Sequence, residues 1–158
     1  MTPSRNNPLP VARAAARLGA VQALYQMDIA QADLADVLAD FGSIRLGEEF
    51  EDGECGAADF VLLRDIVGGV VREQRLIDRS LDACLAEGWT LTRLDATARA
   101  ILRAGAYELM FRNDIPAKVS ISQYIDVAHA FFDGSEPGFI NAALDQLARR
   151  QRQDEIGG

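Results

Sequence analysis

The chain has 158 residues, 49% apolar and 25% charged, with a formal net charge of −8. That is enough for one globular domain or two tightly packed halves, and no apolar run approaches the ~20 residues of a bilayer-spanning helix. No apolar h-region opens the sequence, so a secretory signal is not expected; Cys55 and Cys84 form no Cys-x-x-Cys pair and read as free thiols, which points to the reducing cytoplasm.

Pro3, Pro8 and Pro10 with Asn6-Asn7 make residues 1–10 a flexible arm. Val11, Ala14, Leu18, Val21, Tyr25 and Ile29 then recur at helical spacing and predict a first helix from Val11 to about Ile29. Arg5, Arg13 and Arg17 all precede the first acid of the chain, Asp28. Arg13 and Arg17, four residues apart, share a helical face. At about 100° per residue that face lies a quarter turn or more from the centre of the apolar stripe, so both guanidinium groups are expected to stay in water. A small cationic spot on an acidic body suits one anionic partner and repels most others. The competing meaning is a solvated helix face.

Leu34, Val37, Leu38 and Phe41 predict a second helix. Residues 42–56 mix glycine with Glu48, Glu49, Glu51, Asp52 and Glu54 and read as an acidic loop, with no frame to hold the carboxylates around a cation. A third helical stretch begins near Ala57 with Phe60, Leu63, Val67 and Val70. Gly68-Gly69 within it marks close helix packing or a bend. The pattern resumes with Ile77, Leu81 and Leu85 and ends near Gly88; periodicity leaves open whether this is one helix or two.

Thr92 is the expected N-cap of the next helix, with Asp95 near its positive end. That helix carries Leu94, Ala98, Ile101, Leu102, Gly105 and Leu109 and ends at Asn113-Asp114-Ile115-Pro116. Ser120-Ile-Ser-Gln123 is a capping box for a helix reaching about Phe132. Residues 133–138 are a turn, a last helix starts near Phe139, and residues 151–158 form a polar tail. No segment alternates with a two-residue period, so the fold class is all-α, with about seven helices.

Catalytic chemistry finds no constellation. His129 is the single histidine, with no nucleophile placed beside it by the sequence. No glycine-rich phosphate loop is present, and two cysteines with one histidine do not complete a usual structural zinc site. Neither a cofactor nor a metal is expected.

Three segments in register carry a resemblance. The first runs from Arg13 through Ala20-Val-Gln-Ala-Leu-Tyr25. The second is Ala100-Ile-Leu-Arg103-Ala-Gly-Ala-Tyr107-Glu108-Leu109. The third is Ile115-Pro-Ala-Lys118-Val-Ser-Ile121 followed by Phe139-Ile-Asn141-Ala-Ala-Leu-Asp145. Together, from Arg13 to Leu147, they resemble the NusB family of bacterial transcription antitermination factors.

The resemblance implies one domain over residues 11–150, built as two packed helical bundles of about 11–76 and 77–150. It implies a non-enzymatic adaptor that binds boxA-type single-stranded RNA together with the ribosomal protein NusE, within the transcription elongation complex, away from any membrane. It also allows a homodimer. The residues it implies for RNA are Arg13 and Arg17, with Arg5 on the arm, Phe139, and Ser135, where some members have an acid. For the protein partner it implies Tyr25, Asp95, Arg99 and Glu108, although Ala98 replaces an acid common in the family. Two other readings compete: a stand-alone protein-interaction scaffold, and the RNA-binding domain of ribosomal RNA cytosine methyltransferases, for whose methyl-donor domain no room is expected here.

Overall fold

Small residues organise the architecture. A computed structural model gives the structure of the protein and describes residues 8–39 and 56–156. Its helices are α1 (Pro8–Ala30), α2 (residues 34–39), α3 (Gly56–Arg72), α4 (Gln74–Asp82), α5 (Ala96–Phe111), α6 (Ala117–Phe131), α7 (Glu136–Gln151) and α8 (Gln153–Ile156), with a 3-10 turn at Leu91–Arg93. No strand occurs among the described residues, and no described helix is long and apolar enough to cross a membrane. The fold is all-α.

The central element is α5, which packs against α1, α3, α4, α6 and α7. Ala98, Ala100, Ala104, Gly105 and Ala106 are all buried along it and let five neighbours approach closely. At Gly105 a methyl group would already lie 3.0 Å from Leu144 Cδ1. The spaces left between helices are filled by Ile66, Ile77, Leu81, Ile101, Leu102, Leu109, Ile140, Leu144 and Leu147, which form one continuous core. Helix α4 runs through positions 76–77, where the resemblance puts the boundary between two bundles.

The third helical stretch is two helices, α3 and α4, broken at Glu73. Of the glycine pair, Gly69 is the packing site: a Cβ there would fall 2.1 Å from Tyr107 Cε1, whereas one at Gly68 would meet nothing within 4 Å. Helix α1 is closed by the residue after it, Gln31, whose φ of 55° is left-handed and whose Nε2 donates to the Asp28 carbonyl at 3.1 Å.

Several expected helix starts are corrected. Asp95, not Thr92, caps α5, accepting from the Thr97 and Ala98 amides at 2.9 and 3.4 Å, while Thr92 lies in the 3-10 turn. Helix α6 begins at Ala117, so Ser120 is inside it, and its hydroxyl serves a buried carboxylate instead of a cap. Helix α7 starts at Glu136, a turn before Phe139, with proline in its first turn. Helix α1 starts at Pro8, inside the expected arm, and the expected tail contains α8.

Arg152 ties this end of the molecule together. It is 6% exposed and donates to the carbonyls of Glu108, Leu109, Arg112 and Ile115 at 2.8–2.9 Å. Leu109 is among the last residues of α5 and Arg112 is its C-cap, so Arg152 supplies donors to carbonyls at and just beyond the end of that helix. Its partner Glu155 accepts from Arg152 Nη1 at 2.8 Å and from the Ala117 amide at 2.6 Å, which caps α6. The acidic loop and Arg5 lie outside the described residues, except Gly56, which opens α3.

Candidate nucleic-acid interface

Arg13 and Arg17 are one turn apart on α1 and have different environments. Arg13 is half-buried and makes no hydrogen bond or ion pair among the described residues; its positive charge is felt by the Asp114 carboxylate. Arg17 is 2% exposed. Its Nε and Nη2 donate to the two oxygens of Glu108 at 2.8 and 3.0 Å. Ser120 Oγ and Tyr124 Oη complete the shell of that carboxylate at 2.7 and 2.6 Å.

Burial acts to lower the Arg17 pKa, but hydrogen bonding to Glu108 and its negative charge override this and raise it. Burial and the same carboxylate push the Tyr124 phenol well above its ordinary value. The two sequence-based assignments are corrected accordingly. Arg17 is not a surface cation and Glu108 is not a partner contact, because each is the other's buried counter-ion. The apolar stripe gave the wrong exposure because α1 is covered by α3, α5 and α6, which bury more than one flank.

Ser135 and Phe139 lie at the opening of α7. Ser135 is exposed, and its side chain makes no cap bond to the helix that follows. Phe139 is half-buried, one turn in, and its amide donates to the Ser135 carbonyl at 3.1 Å. Against the Phe139 ring sits a residue that sequence reasoning missed, Trp89. The ring centroids are 6.2 Å apart at 62°. The Arg93 guanidinium carbon lies 5.1 Å from the Trp89 centroid, and Arg93 Nη1 donates to the Gly88 carbonyl. Trp89 is the only tryptophan in the chain. Its one sequence signal is an adjoining Gly88, which takes a φ of 90° in the turn. No hydrogen bond, ion pair or ring contact joins Arg13 to Ser135 or Phe139.

The expected partner residues divide similarly. Tyr25 is 41% exposed and Ile29 57% exposed near the end of α1. Asp95 is committed to capping α5. Arg99 is committed to Asp28 at 2.8 Å and to the Leu94 carbonyl at 2.8 Å. Arg103 holds Asp78 through two bonds of 2.9 and 3.0 Å and lies 3.7 Å from Asp28. Beside this network a cleft of about 290 Å³ opens between α1, α3 and α4, lined by Leu24, Met27, Gln31, Val71 and Gln74.

His129 lines a separate groove between α6 and α7, with Ser122, Asp126 and Asp145. No hydrogen bond links it to any of these. No cluster of three or more potential metal ligands occurs among the described residues.

The sequence profile of the NusB family matches residues 14–149. The chain belongs to the NusB family. A Bradyrhizobium transcription antitermination protein NusB is 57% identical over 145 residues, covering 92% of this chain and 86% of that protein. Among solved structures, NusB of T. maritima superposes with a TM-score of 0.78 at 27% identity, over 92% of this chain and 97% of that one. A NusB chain from a complex of antitermination factors NusB and NusE with double-stranded RNA reaches a TM-score of 0.75, over 88% of this chain and 97% of its own. At 20% identity it establishes the shared NusB fold alone.

Proposed function

We propose that this chain is a transcription antitermination factor that binds boxA-type single-stranded RNA together with the ribosomal protein NusE, in the cytoplasm and without catalytic activity. The observation that carries this reading is the 57% identity to an antitermination NusB across 92% of the chain. A structural neighbour holds NusB with NusE and double-stranded RNA, and both kinds of partner are carried over here as part of the proposal.

Within that reading, Arg13, which makes no ion pair among the described residues, supplies a cation for phosphate. Ser135 offers an exposed hydroxyl beside Phe139, whose ring gives a surface on which an unstacked base can lie. Tyr25 and the adjoining exposed end of α1 are the NusE contact, with Asp95 and Arg99 shaping it from beneath. The division into two bundles belongs to the same proposal, with α5 shared between them.

The test is a titration of the purified protein with boxA-like and scrambled single-stranded RNA at low salt, with and without NusE. The expected result is preference for the boxA-like strand, tightened by NusE and weakened by Arg13→Glu and by Phe139→Ala. Equal affinity for the scrambled strand in both conditions, or no binding at all, overturns the proposal. NusE binding that is unaffected by RNA would instead favour a protein scaffold.

A further inference from the structure

Trp89 is 45% exposed, although it is the largest apolar side chain in the protein. Burying it would be favourable, so its position on the surface needs a reason. The turn that carries it is firmly held. Its amide donates to the Ala86 carbonyl at 3.0 Å. Two residues on, Leu91 is 1% exposed, and its amide donates to Asp82 Oδ1 at 2.7 Å. Arg93 is fixed over one face of the indole by its bond to the Gly88 carbonyl. The ring is thus presented on a rigid support with a cation against it.

We infer that Trp89 is a second base-stacking surface for single-stranded RNA, working beside Phe139, with Arg93 as its companion cation. This inference rests on the RNA-binding reading above. Two aromatic rings at 62° cannot enclose one base between parallel faces. They suit two unstacked bases, one on the Phe139 ring and the next on the open indole surface. Stacking tolerates any base, because each has a π-face. Trp89 therefore contributes affinity and a preference for unpaired RNA, while sequence preference comes from elsewhere in the interface.

The lone indole is its own reporter. Single-stranded RNA is titrated into the unmodified protein at low salt. Tryptophan emission is followed in parallel with anisotropy of a labelled strand. Emission should change along the anisotropy isotherm. Trp89→Ala should weaken binding about tenfold, within the range for one stacked base, while Trp89→Phe keeps most of the affinity. RNA that binds by anisotropy with no change in indole emission, and binds Trp89→Ala as tightly as the parent, overturns the inference and leaves the RNA-binding reading intact. No binding by either readout defeats both. Because the emission arm uses the parent protein, poor folding of Trp89→Ala does not remove the test.

Discussion

Two arginines one helical turn apart show how much a single residue's surroundings decide. Arg17 and Glu108 are both out of water, so removing either leaves a buried charge without its partner. Arg17→Ala should cost about 3–5 kcal/mol, read as a fall in the denaturant midpoint, because Glu108 would keep only its two hydroxyl donors. Arg17→Lys should recover part of this loss, since an ammonium cannot reproduce the two parallel bonds of the guanidinium. Arg13→Glu should stay within about 0.5 kcal/mol of the parent, as it breaks no hydrogen bond or ion pair among the described residues. A charge reversal at both positions would therefore confuse unfolding with lost RNA binding, and Arg13 alone is the informative change. Asp114 makes a separate prediction. Hydrogen bonds from the Arg112 guanidinium hold its carboxyl down to about 2, against an ordinary 3.8. A carboxyl depressed in this way adds stability that is whole above its unfolded pKa and disappears as pH falls through its folded one. Between pH 3.8 and about 2, the melting temperature of the parent should therefore drop more than that of Asp114→Asn. Parallel curves would show that the exposed pair contributes nothing.

At the scale of elements, Gly68 and Gly69 make opposite predictions from adjacent positions. Gly69→Ala drives a methyl group into the Tyr107 ring, whose hydroxyl is bonded to Asp65 at 2.9 Å. It should destabilise by about 1–3 kcal/mol, as overpacked cores do. Gly68→Ala meets open space and should gain up to about 1 kcal/mol from helix propensity. Thermal melts of the two variants check both, and equal effects would show that the helix backbone, not Tyr107, sets the cost. The glycine pair was legible in the sequence as close packing or a bend, but which of these it was, and which member packs, was not, because that depends on a tyrosine 38 positions away. Helix starts failed for the same reason. The capping box at Ser120 was a sound local pattern, yet the Ala117 amide is capped by Glu155, far along the chain. Residue periodicity found the helices because each buries an apolar face. It could not find Trp89, which stands in a turn between periodic segments. It misjudged Arg17 because α1 has three covered flanks, and one stripe reports one of them.

For the whole molecule, the deciding quantity is charge. The chain carries −8, so an approaching RNA strand meets net repulsion beyond the interface, and contact must be made locally through few cations and exposed rings. Cations and rings differ in how salt affects them. Each phosphate neutralised on a single strand contributes about 0.7 to the fall of log K with log salt, whereas stacking on a ring releases no counter-ions. With Arg17 buried, two or three phosphate contacts at most give a slope of about −1.4 to −2. Arg13→Gln should then flatten that slope by about 0.7, and its deficit relative to the parent should be largest in dilute salt. Phe139→Ala should lower affinity by a constant factor at every salt concentration, leaving the slope unchanged. Measuring both variants across a salt series separates the two contributions without a structure of the complex. If Arg13→Gln shifts the line without changing its slope, the guanidinium does not contact phosphate. If Phe139→Ala changes the slope, the ring acts by placing a cation and not by holding a base.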